Sequence, residues 1–234
     1  MKFRYELKYR LNIQGYILQK MRFENLLQKD PHANTEGYYT VRSLYFDDFW
    51  NSAYHEKLIG IKERQKFRIR LYNQSAAMIN LERKIKSNQY VTKQVSTIKK
   101  DEVDQILAGE ADFLLNSGDN LKKLFYYQTY GRVLRPRVIV EYEREAYVLG
   151  AGELRIVFDK NIRAGQLNFD IFDEHMPMIE AMDKGTIIME VKFTNFLPEM
   201  IRKMLPSKSA DFSSFSKFIM CCDKTMHKKL SYIH

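Results

Sequence analysis

Arg68-Ile69-Arg70 is the stretch that decides the fold, because it alternates charged and apolar side chains as a β-strand does. Residues two apart in a strand lie on one face, so both arginines share a face and Ile69 points to the other. Five further runs show the same alternation: Arg4-x-Glu6-x-Lys8-x-Arg10, Glu82-x-Lys84-x-Lys86, Glu141-x-Glu143, Arg155-x-Val157-x-Asp159 and Glu190-x-Lys192. So many charged faces, mixed in sign but mostly basic, suggest a closed sheet with a charged interior.

The composition indicates an intracellular protein with an anionic partner. The 234 residues fit one large domain, and the 15 Tyr and 15 Phe favour strands. A net charge of +9 points to nucleic acid, an acidic membrane surface or a phosphate-rich small molecule. The adjacent Cys221 and Cys222 form neither a disulfide framework nor a zinc site, which indicates a reducing cytoplasm. Neither a signal peptide nor an apolar run of membrane-spanning length is found, so we predict a soluble protein.

The periodicities of the chain predict about eight strands with helical insertions. The strands are expected at 3–11, 37–47, 65–73, 78–87, 90–97, 136–148, 153–162 and 186–193. A helix capped by Asn12 follows the first strand and carries Ile13, Ile17, Met21 and Leu27 at helical spacing. Further helical segments are expected at 49–58, at 99–127 with a break near 116–120, at 197–204 and at 213–231. We therefore predict a single α+β domain, residues 1–234, built on an eight-stranded antiparallel β-barrel flanked by helices.

The direction of the charged faces is not fixed by alternation. The opposite faces, such as Phe67/Ile69/Leu71, are apolar and need a cover, which the amphipathic helices can provide. Two like charges about 8 Å apart repel by roughly 2 kcal/mol at an effective dielectric of about 20, so a cluster of bases makes sense if a polyanion fills the space. Two interpretations therefore stay open, a charged tunnel and an ordinary amphipathic sheet with a solvated face.

Eight motifs in order along the chain identify a family resemblance. They are Arg4-Tyr5-Glu6-Leu7-Lys8-Tyr9, Val41-Arg42-Ser43-Leu44-Tyr45-Phe46-Asp47, Lys66-Phe67-Arg68-Ile69-Arg70, Leu81-Glu82-Arg83-Lys84, Arg135-Pro136-Arg137-Val138-x-Val140-x-Tyr142-x-Arg144-x-Ala146, Arg155-Ile156-x-Phe158-Asp159, Met189-Glu190-Val191-Lys192-Phe193 and Phe215-Ser216-Lys217-Phe218. With them the chain resembles, over essentially its whole length, the VTC domain. This domain is the catalytic polyphosphate polymerase module of the triphosphate tunnel metalloenzyme (CYTH-like) superfamily. The resemblance implies a barrel whose tunnel binds the triphosphate of a nucleotide and a divalent metal.

The resemblance also implies a role for individual residues. The bases that grip phosphates would be Lys8, Arg68, Arg70, Lys84, Arg144, Arg155 and Lys217, with Lys93 as a further phosphate ligand. Tyr142 and Ser216 would donate hydroxyl hydrogen bonds. Glu190 would hold Mn²⁺ or Mg²⁺, with Glu6 and Glu82 as candidate helpers. Where a related protein carries a third base in the last motif, this chain has Ser214, which would weaken one end of the phosphate track.

The activity implied by the resemblance is ATP-dependent synthesis of inorganic polyphosphate. The γ-phosphoryl group of ATP would pass to the terminal phosphate of the growing chain, and this acceptor is already ionised and needs no general base. Two alternatives stay open, a metal-dependent triphosphatase and a non-catalytic polyphosphate-binding module. No nucleic acid is expected as a ligand. By analogy with the family, a membrane-protein partner would hold this stand-alone, bacterial-type cytoplasmic domain at the inner face of the membrane.

Overall fold

The computed structural model describes residues 4–88, 90–165, 168–206 and 215–230, without the side chains of residues 227–230. The strands in this part of the chain are β1 (Tyr5–Leu11), β2 (Gln28–Lys29), β3 (Tyr39–Asp47), β4 (Glu63–Tyr72), β5 (Ser75–Ser87), β6 (Tyr90–Ile98), β7 (Arg135–Leu149), β8 (Leu154–Gly165), β9 (Met178–Glu180) and β10 (Ile187–Phe193). The α-helices are α1 (Ile13–Glu24), α2 (Ser52–Leu58), α3 (Lys100–Ala108), α4 (Asn120–Gly131), α5 (Glu199–Met204) and α6 (Lys217–Leu230). None of the α-helices in these ranges is long and apolar enough to cross a membrane.

One antiparallel sheet organises the molecule. Eight strands follow one another in the order β1-β10-β8-β7-β3-β4-β5-β6, while the short β2 and β9 pair with β7 and β8. The sheet curls until its edges meet at a bridge between Arg4 and Val91, where each amide donates to the other carbonyl at 3.1 Å. This confirms the α+β class and the eight-stranded antiparallel path. Within the described residues this single bridge is the only pairing between the two edges of the sheet. The sheet is therefore not closed by a continuous ladder of hydrogen bonds.

The element bounds follow the sequence pattern with one shift in the helical insertion. The expected break near 116–120 is present but begins earlier, since α3 ends at Ala108, is capped by Gly109 with φ +85, and α4 begins only at Asn120. A short 3₁₀ turn at Asp112–Leu114 precedes α4, which runs past the predicted end to Gly131. The C-terminal helix begins at Lys217, so residues 215 and 216 of the predicted 213–231 segment precede it. Residues 213–214, with Ser214, and residue 231 lie outside the described residues.

The outer faces of the sheet are covered by helices. Phe67, Ile69 and Leu71 of β4 pack in one cluster with residues of α3 and α4, such as Val103 and Phe125. A second cluster joins the outer faces of β1, β7, β8 and β10 to α1 and α5. Each large apolar side chain removed from water contributes about 1.5–3 kcal/mol. Because this burial holds the apolar side chains on the outer face of the sheet, the charged side chains that alternate with them face the interior.

Helix α1 forms as predicted, but a different face of it is buried. The side chain of Asn12 accepts a hydrogen bond from the amide of Gly15 at 2.8 Å and caps the helix. Phe23 is fully buried, whereas Ile13, Ile17 and Met21 are 53%, 48% and 64% exposed. Helical spacing identifies residues that share a face but not which face meets the sheet. Of the four expected positions only Leu27, beyond the end of α1, is buried.

Helix α6 fills one end of the barrel interior. Its Phe218, Cys221 and Cys222 are buried in a cluster that includes Tyr45 of β3 and Ile188 of β10. Both cysteines carry free thiols, in agreement with the absence of a predicted disulfide. The interior is thus divided between an apolar plug at the α6 end and a space lined by charged side chains.

Candidate functional site

A cavity of about 640 Å³ occupies the rest of the barrel interior. The predicted site residues that line it are Glu6, Lys8, Arg68, Arg70, Lys84, Lys93, Tyr142, Arg144, Arg155, Glu190, Ser216 and Lys217. Glu82 is fully buried next to these bases and does not line the cavity. The structure therefore brings all the predicted site residues together. Their charged faces point inward, as in the charged-tunnel interpretation, and not to solvent.

Arg68 and Arg70 are held in place by polar side chains of neighbouring strands. Arg68 donates from Nε to Glu82 at 2.6 Å and from Nη1 to the Tyr45 hydroxyl at 2.7 Å. Arg70 donates from Nε to a serine hydroxyl of β3 at 2.9 Å and from Nη2 to the Tyr142 hydroxyl at 3.1 Å. Both guanidinium groups are fixed before any ligand arrives.

Glu82 anchors the bases of this wall. Its carboxylate accepts from Lys93 Nζ at 2.8 Å and from Arg68, and the Nη1 atom of Arg70 lies 3.9 Å away. Burial acts to raise the pKa of Glu82, but the positive charges of Arg68, Arg70 and Lys93 lower it well below its usual range. The carboxylate is therefore ionised and neutralises part of the basic cluster from behind.

Asp159, to which the sequence patterns assigned no role, anchors the bases of the opposite wall. Arg144 makes a bidentate contact with it, Nε to Oδ1 at 2.7 Å and Nη2 to Oδ2 at 2.9 Å. Lys217, the first residue of α6, lies 2.5 Å from Asp159 Oδ2 and 2.8 Å from Glu190 Oε1. The signal was present in the sequence, because Asp159 continues the alternating run that begins at Arg155.

A checkerboard of acids and bases joins β1 and β10. In the register of these strands, Lys8 lies opposite Glu190, and Glu6 lies opposite Lys192. Lys8 and Lys192 contact Glu190 at 3.4 and 2.8 Å, and Lys84 Nζ donates to Glu6 at 2.7 Å. Burial lowers the pKa of Lys192 to about 7, although Glu190 opposes this. Lys192 lines the cavity, although the sequence patterns assigned it no role despite its spacing of two from Glu190.

The carboxylates of this checkerboard suit a hard cation such as Mn²⁺ or Mg²⁺. Glu6 Oε1 is buried without a hydrogen-bond partner, and the nearest basic atom paired with it is Arg4 Nε at 3.5 Å. Burial acts to raise the pKa of Glu190, but Lys192, Lys217 and Lys8 hold it well below its usual range, so it is ionised. The described residues contain no group of three or more acidic, histidine or cysteine side chains that could hold a metal. Protein carboxylates would thus supply one or two ligands, and phosphate oxygens and water the rest.

Arg155 lies at another part of the cavity wall, beside Asp30 and Tyr39. Its Nη2 atom bonds the Asp30 carboxylate and donates to the Tyr39 hydroxyl at 3.0 Å. Asp30 also bonds His32 Nδ1 at 2.8 Å. No alternation pattern links Asp30 to Arg155, so this pair was not predicted from the sequence.

One of the charged runs does not face the cavity. Tyr142 and Arg144 line it, so Glu141 and Glu143 between and beside them point to the other face. Glu141 is buried there and accepts from Arg42 Nε at 2.7 Å and from an arginine of β8 at 2.6 Å. The prediction that the Glu141-x-Glu143 run contributes to the charged interior was therefore wrong.

Comparisons with known proteins agree with this architecture. The family model of the VTC domain matches residues 3–226. A Hippeastrum protein named as an adenylyl cyclase, with a dominant triphosphatase activity, superposes with a TM-score of 0.54 at 14% identity, over 96% of this chain and 97% of that one. The protein PH1819 of Pyrococcus horikoshii OT3 gives a TM-score of 0.49 at 12% identity, over 94% and 99% of the two chains. No curated protein matches by sequence. At 14% identity the likeness to the Hippeastrum protein concerns the fold alone.

Proposed function

Because the chain belongs to the VTC domain family, we propose that it is a metal-dependent polyphosphate polymerase. In this reaction the γ-phosphoryl group of ATP passes to the end of an inorganic polyphosphate chain. The observation that carries the proposal is the charge of the cavity. Eleven basic side chains line it, against three lining carboxylates and the two buried carboxylates of Glu82 and Asp159. Such an excess suits a ligand that carries negative charges along its length, as a chain of phosphates does.

The basic side chains provide the phosphate ligands of the proposed track. They are Lys8, Arg68, Arg70, Lys84, Lys93, Arg144, Arg155 and Lys217, with the hydroxyl groups of Tyr142 and Ser216 as further donors. Arginine forks bind two phosphate oxygens at once, and lysines act as point charges. The Oγ atom of Ser216 is buried without a hydrogen-bond partner, which supports its role as a donor to a ligand. Since the arginines are already held by acids or hydroxyls, binding requires little further ordering.

The metal ligands in this proposal are Glu190 and Glu6, with Glu82 as a third candidate. When bound, Mn²⁺ or Mg²⁺ would neutralise negative charge on the transferred phosphoryl group. Glu6 has a buried oxygen without a hydrogen bond, and Glu190 is ionised among three lysines. Whether or not Glu82 binds the metal, it keeps the neighbouring bases in position. The acceptor phosphate is ionised at neutral pH, so the residues of the cavity need only align donor and acceptor.

The second candidate function uses the same cavity with water as acceptor. The Hippeastrum protein of similar fold has a dominant triphosphatase activity. A cavity that binds the triphosphate of a nucleotide is equally suited to its hydrolysis if water, rather than a phosphate, reaches the γ-phosphorus. The two reactions therefore differ in the acceptor and not in the phosphate-binding residues.

Incubation of the purified protein with ATP and Mn²⁺, or with Mg²⁺, separates these functions. We expect long phosphate chains, resolved on a polyacrylamide gel, that appear together with ADP. Release of free phosphate without chains would refute the polymerase and establish the triphosphatase. Binding of polyphosphate without turnover of any triphosphate would leave a non-catalytic binding module.

A further inference from the structure

Lys66 faces the cavity from β4 but was assigned no role. It lies two residues before Arg68 on the same face and lines the cavity. In the register of the sheet it lies opposite Lys84, which in turn lies opposite Lys93. Three lysines therefore form a row across β4, β5 and β6, and directly opposed like charges in a sheet repel each other.

The three lysines of this row differ in their partners. Lys84 is paired with Glu6 and Lys93 with Glu82, at 2.7 and 2.8 Å. Lys66 pairs with no carboxylate of the described residues, and its Nζ instead lies 5.2 Å from the ring centroid of Tyr45 and 5.3 Å from that of Phe218. Two aromatic faces hold an ammonium group in position but leave its charge without a counter-ion.

The other groups around Lys66 are mostly positive. The side chains of Arg68 on β4, Lys84 on β5 and Lys8 on β1 interact with it, together with the hydroxyl of Tyr45 on β3 and the thiol of Cys222 on α6. Burial and these neighbouring bases lower the pKa of Lys66 to about 7, against the favourable effect of Tyr45. Burial acts to raise the pKa of Tyr45, but the surrounding bases lower it to about 7. An anionic ligand would supply the negative charge that no carboxylate of the described residues provides to Lys66 here.

The position of Lys66 marks one end of the charged cavity. A second cavity, of about 290 Å³, lies between the end of β3 and helices α2 and α4, with Asp48, Glu56 and Gln128 among its lining residues. Lys66 lines both cavities. We infer that Lys66 binds a phosphoryl group at this end of the charged cavity, and that the rings of Tyr45 and Phe218 hold its ammonium group for that contact. The inference rests on the proposed function in one respect, that the ligand is a chain of phosphates.

Isothermal titration calorimetry with inorganic tripolyphosphate, in EDTA at pH 8, tests the inference on the full chain. Two buffers of different ionisation enthalpy report how many protons are taken up on binding. Lys66→Met and Lys66→Gln both remove the amine, and the matched control is Lys184→Met, at a side chain that is 88% exposed. We expect both Lys66 variants to bind about tenfold or more weakly, the range for loss of a charged hydrogen bond. Their proton uptake should fall by about one, with the control unchanged.

The outcomes separate this inference from the proposed function. If the wild-type protein binds tripolyphosphate neither in EDTA nor in the presence of Mn²⁺, the proposed function fails and the inference with it. If the wild-type protein binds while the folded Lys66 variants bind with equal affinity and equal proton uptake, only the role of Lys66 is overturned. A role of Lys66 in packing alone would shift the melting temperature of the variants but not the number of protons taken up.

Discussion

Replacing Glu82 with glutamine tests whether a buried charge holds the bases of the cavity. Glu82 is fully buried and contacts Arg68 at 2.6 Å, Lys93 at 2.8 Å and Arg70 at 3.9 Å. Removing one partner of a buried ion pair destabilises a protein by about 3–5 kcal/mol, because the other charge is left uncompensated. Glutamine keeps the shape and can still accept one hydrogen bond. We therefore expect a loss of about 3 kcal/mol in the free energy of unfolding, measured by urea denaturation.

Tripolyphosphate distinguishes this loss from a general packing defect. The polyanion should pair with the bases that lost their counter-charge, so it should stabilise Glu82→Gln more than the wild-type protein. Glu141→Gln is the matched control, since Glu141 is also buried and holds Arg42 and Arg163 at 2.7 and 2.6 Å on the outer face. It should lose a similar free energy without any additional rescue by tripolyphosphate. Two results would refute this role of Glu82. One is a Glu82→Gln variant as stable as the wild-type protein, and the other is equal stabilisation of both variants by tripolyphosphate.

Three further predictions concern turnover, metal and pH. Arg70→Ala should lower turnover about a hundredfold or more, because it removes a positioned donor of the cavity, whereas Arg10→Ala, outside the cavity lining, should not. Equal activity of the two variants would contradict the assignment. Glu190→Gln should abolish Mn²⁺-dependent turnover yet keep tripolyphosphate binding in EDTA, and persistent turnover would exclude Glu190 as the metal ligand. Lys66 and Lys192 have pKa values of about 7 in the folded protein, against about 10.4 in an unfolded chain. Between these values the unfolded state binds more protons, so the free energy of unfolding of the ligand-free protein should rise from pH 7 to about pH 10. Urea denaturation at pH 7 and pH 9 measures this, and a flat or falling profile would show the prediction to be wrong.

Local patterns predicted most of the fold. The strand around Arg68 and Arg70 was found from alternation, and helix α1 from its cap at Asn12, because both signals depend on neighbours within a few residues. The same alternation placed Glu6 with Lys8, and Glu190 with Lys192, on shared faces. These relations hold in any fold in which the segments are strands.

Contacts between distant segments were the part that local patterns missed. Asp159 pairs with Arg144, which lies opposite it on the neighbouring strand, and with Lys217 of α6, and no spacing rule connects these three residues. Asp30, in the segment after α1, pairs with Arg155, and no local pattern connects these two residues either. Such pairs depend on strand register and on the docking of helices, which bring together residues far apart in the chain.

The sequence by itself determined the eight main strands, the residues that share each face and the membership of the VTC domain family, but not the short strands β2 and β9. Only the tertiary structure decided that the face of Arg68 and Arg70 points inward while that of Glu141 points outward. The physical reason is that a period of two fixes relative orientation alone. The absolute direction depends on which face the helices bury, and here α3 and α4 cover the apolar side of β4 and leave its arginines facing the cavity.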